Sequence, residues 1–285
     1  MSTVRTDSTR PAPAVTYGVS ASLFGEIPIA ELAEKLSRHG WRQLELGFPK
    51  KPEADWCRDI AGTRRRLSDA GIAVPSVHIS SAGWNLADPD DAVRQAALDR
   101  ALACLEPAAA LGACLVITHH NAARAPFRED ERAATIGRSR QALATLADRA
   151  RALGLGLAVE NLPQRRTPRP GGPIADILEI IRGLGSHVGV CVDAGHSNAN
   201  GCNAADEARA AGTTLLAVHI QDSDGLGEDQ HLLPGAGSTA WLPFIAALDA
   251  VAPGCIRTFE VGANGADPEA VLRDVTRLRD AWSAS

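Results

Sequence analysis

Long apolar runs are missing from this 285-residue sequence. None approaches the roughly 18 residues that a membrane-spanning helix needs, so we expect no membrane segment. The opening 15 residues also lack the continuous apolar stretch of a secretory signal. Their serine, threonine, arginine and proline content predicts a disordered tail over residues 1–15. A transit peptide fits this segment less well, because it is short and contains Asp7.

An excess of positive charge is also missing. Lysine and arginine number 29 against 34 aspartates and glutamates, for a net charge of -5. Such a chain has no global field that attracts nucleic acid or anionic lipid, although a local basic patch is compatible with it. We therefore expect no nucleic-acid or membrane partner. A homo-oligomer is compatible with these observations.

Paired cysteines are the third absence, because the six cysteines form no CxxC motif. Cys114, Cys191 and Cys255 lie inside apolar, strand-like runs, where cysteine acts as a small core residue. These features predict reduced thiols and a cytoplasmic protein.

What the sequence does contain is one unit repeated along the chain. Short apolar or β-branched runs alternate with amphipathic helical segments, which is typical of βα units on a parallel sheet. The runs cover residues 17–23, 43–48, 74–80, 114–120, 156–162, 188–195, 215–221 and 255–262. Glycine follows helical segments at Gly40, Gly112 and Gly154 as a left-handed stop, the second after one helix over 92–111. Eight strands close a barrel, so the sequence predicts a single-domain α/β protein, a (β/α)8 TIM barrel over residues 16–282.

Charged or imidazole side chains stand at the C-terminal ends of seven of these strands. They are Glu45, His78, His119, Glu160, Asp193, His219 and Glu260. In barrels of this kind that rim carries the active site. Crowded buried carboxylates and imidazoles are costly without a compensating cation or hydrogen bonds, and a metal is the simplest compensation. Ligands of these types without thiolate suit Mn²⁺, Mg²⁺, Co²⁺, Fe²⁺ or Zn²⁺.

Five short motifs make the pattern more specific. They are VEN at Glu160, CVDAGH at Asp193 and His196, HIQD at His219 and Asp222, HLLPGAG at His231, and FEVG at Glu260. Together they resemble the xylose isomerase-like TIM-barrel superfamily, and most of all its sugar phosphate isomerases and epimerases. The likeness covers nearly the whole chain after the tail, and the ordered Glu, Asp-x-x-His, His, Glu series is more specific than any single motif.

The resemblance implies a metal-dependent enzyme of carbohydrate metabolism. One divalent ion (Mn, Mg, Co or Zn) would be held by Glu160, Asp193, His219 and Glu260, facing the oxygens of a sugar, sugar phosphate or keto-polyol. Glu160 and Glu260 would be catalytic, one removing and the other returning a proton beside a metal-bound carbonyl. An enediolate on this route gives an isomerase or an epimerase.

Further candidates are predicted to bind the substrate. They are His78, His119, His196, His231, Trp84 and Phe24. Aromatic residues make up only 4%, so Phe24, Trp84 and Trp241 near the rim suggest apolar walls for a sugar, although core packing is the commoner role. Asp222 is predicted to orient its neighbours rather than bind the ion.

A basic loop follows the fifth strand. Arg165, Arg166 and Arg169 lie within residues 164–172 and predict either a substrate-phosphate site or a solvated loop. Some ketose epimerases carry an arginine shortly after the HxxD motif, whereas this sequence continues SDGLGEDQ. That departure argues against recognition of a free ketose.

Three other functions fit the same residues. A dehydratase of a keto-inositol-like substrate would also start with proton abstraction. The superfamily also contains trinuclear zinc endonucleases that act at abasic sites. Candidates for that longer ligand set are His78, His119 or His120, Glu160, Asp193, His196, His219, Asp229, His231 and Glu260. The acidic charge balance argues against DNA as a partner. A non-catalytic barrel is disfavoured because every metal position is filled.

Overall fold

Eight parallel strands close into a barrel in sequence order. The computed structural model describes residues 16–47, 55–79, 84–121 and 128–283, so the predicted tail over 1–15 lies outside the described residues. The strands are β1 (Tyr17–Ser20), β2 (Leu44–Gly47), β3 (Ser76–Ile79), β4 (Leu115–Thr118), β5 (Gly156–Glu160), β6 (Val188–Asp193), β7 (Leu215–Ile220) and β8 (Ile256–Phe259). All eight predicted strands are confirmed, and each observed strand ends within three residues of its predicted end. The predicted single-domain TIM barrel is correct.

Helices surround this barrel. They are α1 (Ile29–Arg38), α2 (Asp55–Arg58), α3 (Ile60–Asp69), α4 (Asp91–Ala103), α5 (Leu105–Leu111), α6 (Arg132–Ala152), α7 (Ile174–Ile181), α8 (Ala194–Ala199), α9 (Ala204–Ala211), α10 (Trp241–Val251) and α11 (Pro268–Ser283). None of the described helices combines the length and the hydrophobicity of a membrane span. Gly40, Gly112 and Gly154 all have positive φ, which confirms them as left-handed stops.

One predicted helix was wrong in its continuity. The segment over 92–111 forms two helices that meet at Cys104. Pro107 has no N–H to donate to the carbonyl of Ala103, four residues earlier, and its ring crowds that carbonyl. The helical hydrogen-bond pattern is therefore interrupted at Cys104, and a second helix starts at Leu105.

The core has two layers. A large outer cluster packs the strands against the helices, and a small inner cluster fills the barrel. The inner cluster consists of Leu115, Ile117, Ala158, Cys191 and Ala217. All six cysteines of the chain are free thiols. Cys191 is a core residue as predicted, but the prediction for Cys114 was wrong, because it is exposed immediately before β4.

The long loop after β7 is organised by Asp222, which is fully buried. Its carboxylate accepts five hydrogen bonds from the loop and α10. The donors are the backbone N–H groups of Ser223, Gly235, Gly237 and Thr239 and the indole N–H of Trp241, at 2.8–3.1 Å. A Cβ on Gly237 would lie 2.5 Å from Asp222 Oδ1, so no larger residue fits there. Asp222 thus orients its surroundings, as its position in the sequence suggests.

The suggestion that Trp241 forms a wall for a sugar was wrong. Its side chain is buried, its N–H is bonded to Asp222, and its ring stacks on Trp282 at 5.7 Å. Trp241 is a core residue that joins the loop after β7 to α11.

We predict that Asp222→Asn destabilises the protein by about 2–4 kcal/mol, because a neutral amide would leave several buried N–H donors poorly satisfied. Hydrogen bonds from Trp241 and Thr239 hold the pKa of Asp222 below its usual value although burial alone would raise it. This contribution is therefore present above the pKa of an unfolded aspartate and is lost as the pH falls through the folded value.

Urea unfolding of the variant at pH 7 and near pH 3 measures this contribution. Asp224→Asn is the matched control, because Asp224 is an exposed side chain of the same loop. Equal destabilisation by the two substitutions would contradict the role given to Asp222.

Candidate metal centre

The inner face of the barrel determines where the rim side chains point. Ala158, Cys191 and Ala217 belong to the inner cluster. Alternate residues of a strand share a face, so the residues two positions later also point inward, now at the C-terminal mouth. These are Glu160, Asp193 and His219, and all three are buried. His119 stands in the same relation to Ile117, one residue beyond the end of β4.

Four carboxylate or imidazole groups converge at this mouth. Glu160, Asp193, His219 and Glu260 each contribute one donor atom, and these four atoms lie within 4.8 Å of one another. His219 Nδ1 is 3.0 Å from both Glu160 Oε1 and Glu260 Oε2. Asp193 Oδ2 is buried and makes no hydrogen bond within the described part of the chain.

These donors fit a divalent ion. Oxygen and nitrogen ligands about 2.1 Å from a common ion lie about 3 Å from each other, as His219 Nδ1 does from its two carboxylate neighbours. One N–H cannot donate well to both oxygens, and the unsatisfied Asp193 oxygen also lacks a partner. The set contains no thiolate, which suits the ions predicted from the sequence.

Glu45 lies behind this group and faces the other side of the His219 ring. Its Oε1 is 3.0 Å from His219 Nε2, in an ion pair that is not aligned as a hydrogen bond. Its Oε2 accepts hydrogen bonds from Ser76 Oγ at 2.6 Å and Thr258 Oγ1 at 3.4 Å. A carboxylate in this position fixes the ring so that Nδ1 points to the mouth.

A second group shares Glu160. His78 Nε2 and His119 Nε2 lie 2.9 and 3.0 Å from Glu160 Oε2, and the three residues form a second possible ligand set. Burial would lower the pKa of both histidines. The hydrogen bond and charge of Glu160 raise the pKa of His78 nonetheless, whereas burial prevails and lowers that of His119.

A third group lies beside the mouth and centres on Asp229. Its two oxygens are each 3.2 Å from a histidine nitrogen, Nε2 of His196 and Nε2 of His231. His231 Nδ1 donates to the carbonyl of Glu260 at 2.8 Å, and its φ of 48° places it in the left-handed region. Burial opposes protonation, but the surrounding carboxylates raise the pKa of both histidines to about 10.

The buried carboxylates themselves respond to these charges. Burial would raise the pKa of each, but His219 and His119 hold the pKa of Glu160 well below its usual value, and His219 lowers that of Glu260 to about 2. Burial prevails at Asp193, whose pKa rises to about 6. Protonated histidines thus balance the carboxylates, and a cation bound here would compete with those protons.

The structure also distinguishes the two adjacent histidines after β4. His120 is fully buried and lies against Ser139, with Nδ1 3.1 Å from the hydroxyl. Burial lowers the pKa of His120 to about 3. Of the alternatives His119 or His120, only His119 faces Glu160.

Phe24 and Trp84 were predicted to contact the substrate, but their observed contacts are with other parts of the protein. Phe24 ends a 3-10 turn directly after β1 and is half-buried against the core. Trp84 lies with the guanidinium of Arg100 5.8 Å from its ring centre, which associates it with α4. These contacts describe packing, so a substrate role for either residue stays a prediction.

Two residues at the mouth were missed by the sequence analysis. Asn161 accepts a hydrogen bond from the N–H of Asp193 at 2.7 Å and donates to the carbonyl of the same residue at 3.2 Å. Gln221 donates to Asp193 Oδ1 at 3.0 Å and to Asp229 Oδ1 at 3.2 Å. Asn161 directly follows Glu160 in the motif VEN, and Gln221 stands two residues after His219 in the motif HIQD. This proximity to rim residues could have identified both.

Comparisons with known proteins agree with this architecture. An uncharacterized protein of Mycobacterium tuberculosis is 28% identical over 247 residues, 79% of this chain and 81% of the relative. D-psicose 3-epimerase of Clostridium cellulolyticum H10, solved with D-tagatose, superposes with a TM-score of 0.79 at 18% identity, over 94% of this chain and 98% of that one. The IolI protein with a bound zinc atom superposes with a TM-score of 0.80 at 17% identity and the same coverage.

At these identities the structural likenesses establish the fold alone. The family model described as xylose isomerase-like TIM barrel matches residues 33–281, which is most of the chain. This protein therefore belongs to the xylose isomerase-like TIM-barrel family.

Proposed function

We propose that this protein is a divalent-metal-dependent isomerase or epimerase of a sugar-like substrate. The observation that carries the proposal is the convergence of Glu160, Asp193, His219 and Glu260, whose donor atoms lie within 4.8 Å at the barrel mouth. Support comes from the solved neighbours, which include a sugar 3-epimerase and a zinc-bound protein of the same fold.

The metal ligands in this proposal are these four residues. When bound, a divalent ion supplies positive charge that stabilises the negative charge developing on a neighbouring carbonyl oxygen. Glu45 orients His219 for this role, while Asn161 and Gln221 hold Asp193 in place.

The proton is carried by the two glutamates. The depressed pKa values keep Glu160 and Glu260 ionised at neutral pH, so either can remove a proton from the carbon beside a carbonyl. The C–H electrons then form a carbon–carbon double bond, and the carbonyl oxygen becomes an oxyanion. Return of a proton to the opposite face of the same carbon re-forms the carbonyl and gives an epimer. Return of the proton to the former carbonyl carbon gives an isomer, provided that the hydroxyl proton on the first carbon moves to the oxyanion so that a new carbonyl forms there.

A multinuclear phosphodiesterase is the second candidate. The observation that favours it is that His78 and His119 share Glu160 on one side, while His196 and His231 share Asp229 on the other. Two or three ions at such positions would suit phosphodiester hydrolysis. The net charge of -5 gives a nucleic-acid substrate no general electrostatic attraction.

We predict that Glu160→Gln and Glu260→Gln each reduce proton exchange by about 10²–10⁴-fold, because each removes a proton carrier. The measurement is incorporation of solvent deuterium into ketoses, ketose phosphates and keto-polyols, followed by NMR. Elimination of water would show the related dehydratase reaction. The exposed Glu34→Gln in α1 is the control, and wild-type exchange in both active-site variants would exclude the proposed mechanism.

We predict one tightly bound divalent ion per chain in protein purified without chelator. Elemental mass spectrometry gives the stoichiometry, and removal of the ion should abolish exchange until Mn, Mg, Co or Zn is restored. Two or three zinc ions with cleavage of abasic-site DNA would instead establish the second candidate.

His231→Ala separates the two candidates in another way. With a single ion, the substitution should leave the metal content at one and raise the KM for substrate, because His231 lies outside the four-ligand group. Loss of one ion per chain would mean that His231 and Asp229 hold an additional metal. His187→Ala is the control, since His187 bonds the carbonyl of Ala147 on α6.

A further inference from the structure

Arg169 occupies a fixed position in the loop after β5. It stands between Pro168 and Pro170, so the backbone on both sides is restricted by proline. The N–H of Leu162 bonds the carbonyl of Gly171 at 2.8 Å and closes the loop on itself. The side chain of Arg169 is therefore presented from a rigid support beside the mouth.

Its neighbours in the loop have partners. Arg165 donates to the carbonyl of Gly225 at 2.6 Å, and Arg166 pairs with Glu228. Both arginines thus join the loop after β5 to the loop after β7. The sequence predicted either a substrate-phosphate site or a solvated loop for these basic residues. Arg165 and Arg166 instead have a structural role, because they connect two loops.

The guanidinium of Arg169 differs from these two. Its Nε donates to the carbonyl of Pro163 at 3.1 Å, but across the described residues its two terminal amino groups have neither a hydrogen bond nor an ion pair. The side chain is half-buried, and burial lowers the pKa of Arg169 to about 10 although the charges of Asp229 and Glu160 raise it. The group stays positively charged at neutral pH, and its forked end is open to a further acceptor.

A cavity of about 410 Å³ adjoins this group, a size that accepts part of a sugar-sized ligand. Its polar lining consists of Arg169, Arg165, Gln164, Asn200, Arg132 and Glu129. The charge of Arg132 is already paired with Asp176 at 2.6 Å. Arg165 of this lining is exposed and donates to a neutral carbonyl, whereas Arg169 is the half-buried cation among the described lining residues whose two terminal amino groups both lack a protein partner.

We propose that Arg169 binds a carboxylate or phosphate oxyanion at the far end of the substrate, so that the substrate class is an anionic sugar derivative. The inference rests on the proposed function, which places the reacting carbonyl at the neighbouring metal centre. A planar guanidinium with two free amino groups can bind either oxyanion through two parallel hydrogen bonds. The absence of an arginine after the HIQD motif agrees with a substrate other than a free ketose.

The test compares three ligands that differ only at carbon 6, namely D-fructose, D-fructuronate and D-fructose 6-phosphate, together with inorganic phosphate. Isothermal titration calorimetry is performed on the metal-loaded wild type, Arg169→Gln and Arg166→Gln. The last variant is the matched control, because it removes the same charge from the same loop outside the cavity lining. Metal content is measured for all three proteins.

We expect the wild type to bind D-fructuronate or D-fructose 6-phosphate about tenfold or more tightly than D-fructose. Arg169→Gln should abolish that preference with unchanged metal content, whereas Arg166→Gln should keep it. Preference for the carboxylate identifies a sugar acid, and preference for the phosphate identifies a sugar phosphate. Equal affinity of the wild type for the charged and neutral sugars would overturn the proposal. Equal affinity of the wild type and Arg169→Gln for inorganic phosphate would also overturn it, because the phosphate would then bind elsewhere, for example at the metal centre.

Failure of the proposed function would look different. The Glu160→Gln variant should lose proton exchange but retain the preference that depends on Arg169. If the wild type shows no exchange and this preference persists, the anionic subsite stands and the isomerase or epimerase proposal falls.

Discussion

The mutual repulsion of buried carboxylates is the constraint on which the rest of this site depends. Glu45, Glu160 and Asp193 are almost completely buried at one end of the barrel, with Glu260 close by. Charges withdrawn from water require compensation. The barrel provides it with histidines, and the position of His219 Nδ1 between two carboxylate oxygens shows where a cation would replace a proton.

The surroundings of the centre are arranged to keep this geometry. The small inner residues Ala158, Cys191 and Ala217 support the inward side chains from below, and Glu45 holds the ring of His219 from behind. Asp222 orders the loop after β7, which carries Asp229 and His231 towards the mouth. Positioning thus comes from strands and from buried hydrogen bonds, which suits chemistry that requires small tolerances.

Much of this was predictable because it follows from local patterns. Strand periodicity and spacing gave the barrel, and the shared register of βα units brought distant residues such as Glu160 and Glu260 to one rim. Trp241 and Cys114 could not be assigned correctly, since their burial depends on which neighbours fold over them. The difference between Arg169 and Arg165 also depends on tertiary contacts with the loop after β7, which an arginine-rich sequence does not specify.

The choice between proton transfer and hydrolysis depends on whether protons or additional metal ions occupy the histidine groups beside the four-ligand centre. His196 and His231 already share the carboxylate of Asp229, and their raised pKa values mean that protons are bound there at neutral pH. An additional metal must displace those protons, which weakens its binding at such a pH. Protonated histidines beside a single ion are hydrogen-bond donors suited to hydroxyl oxygens, and Arg169 adds a positive charge farther out. Because additional metals would have to displace these protons, the charges at the mouth support the proposed proton transfer more than the alternative hydrolysis.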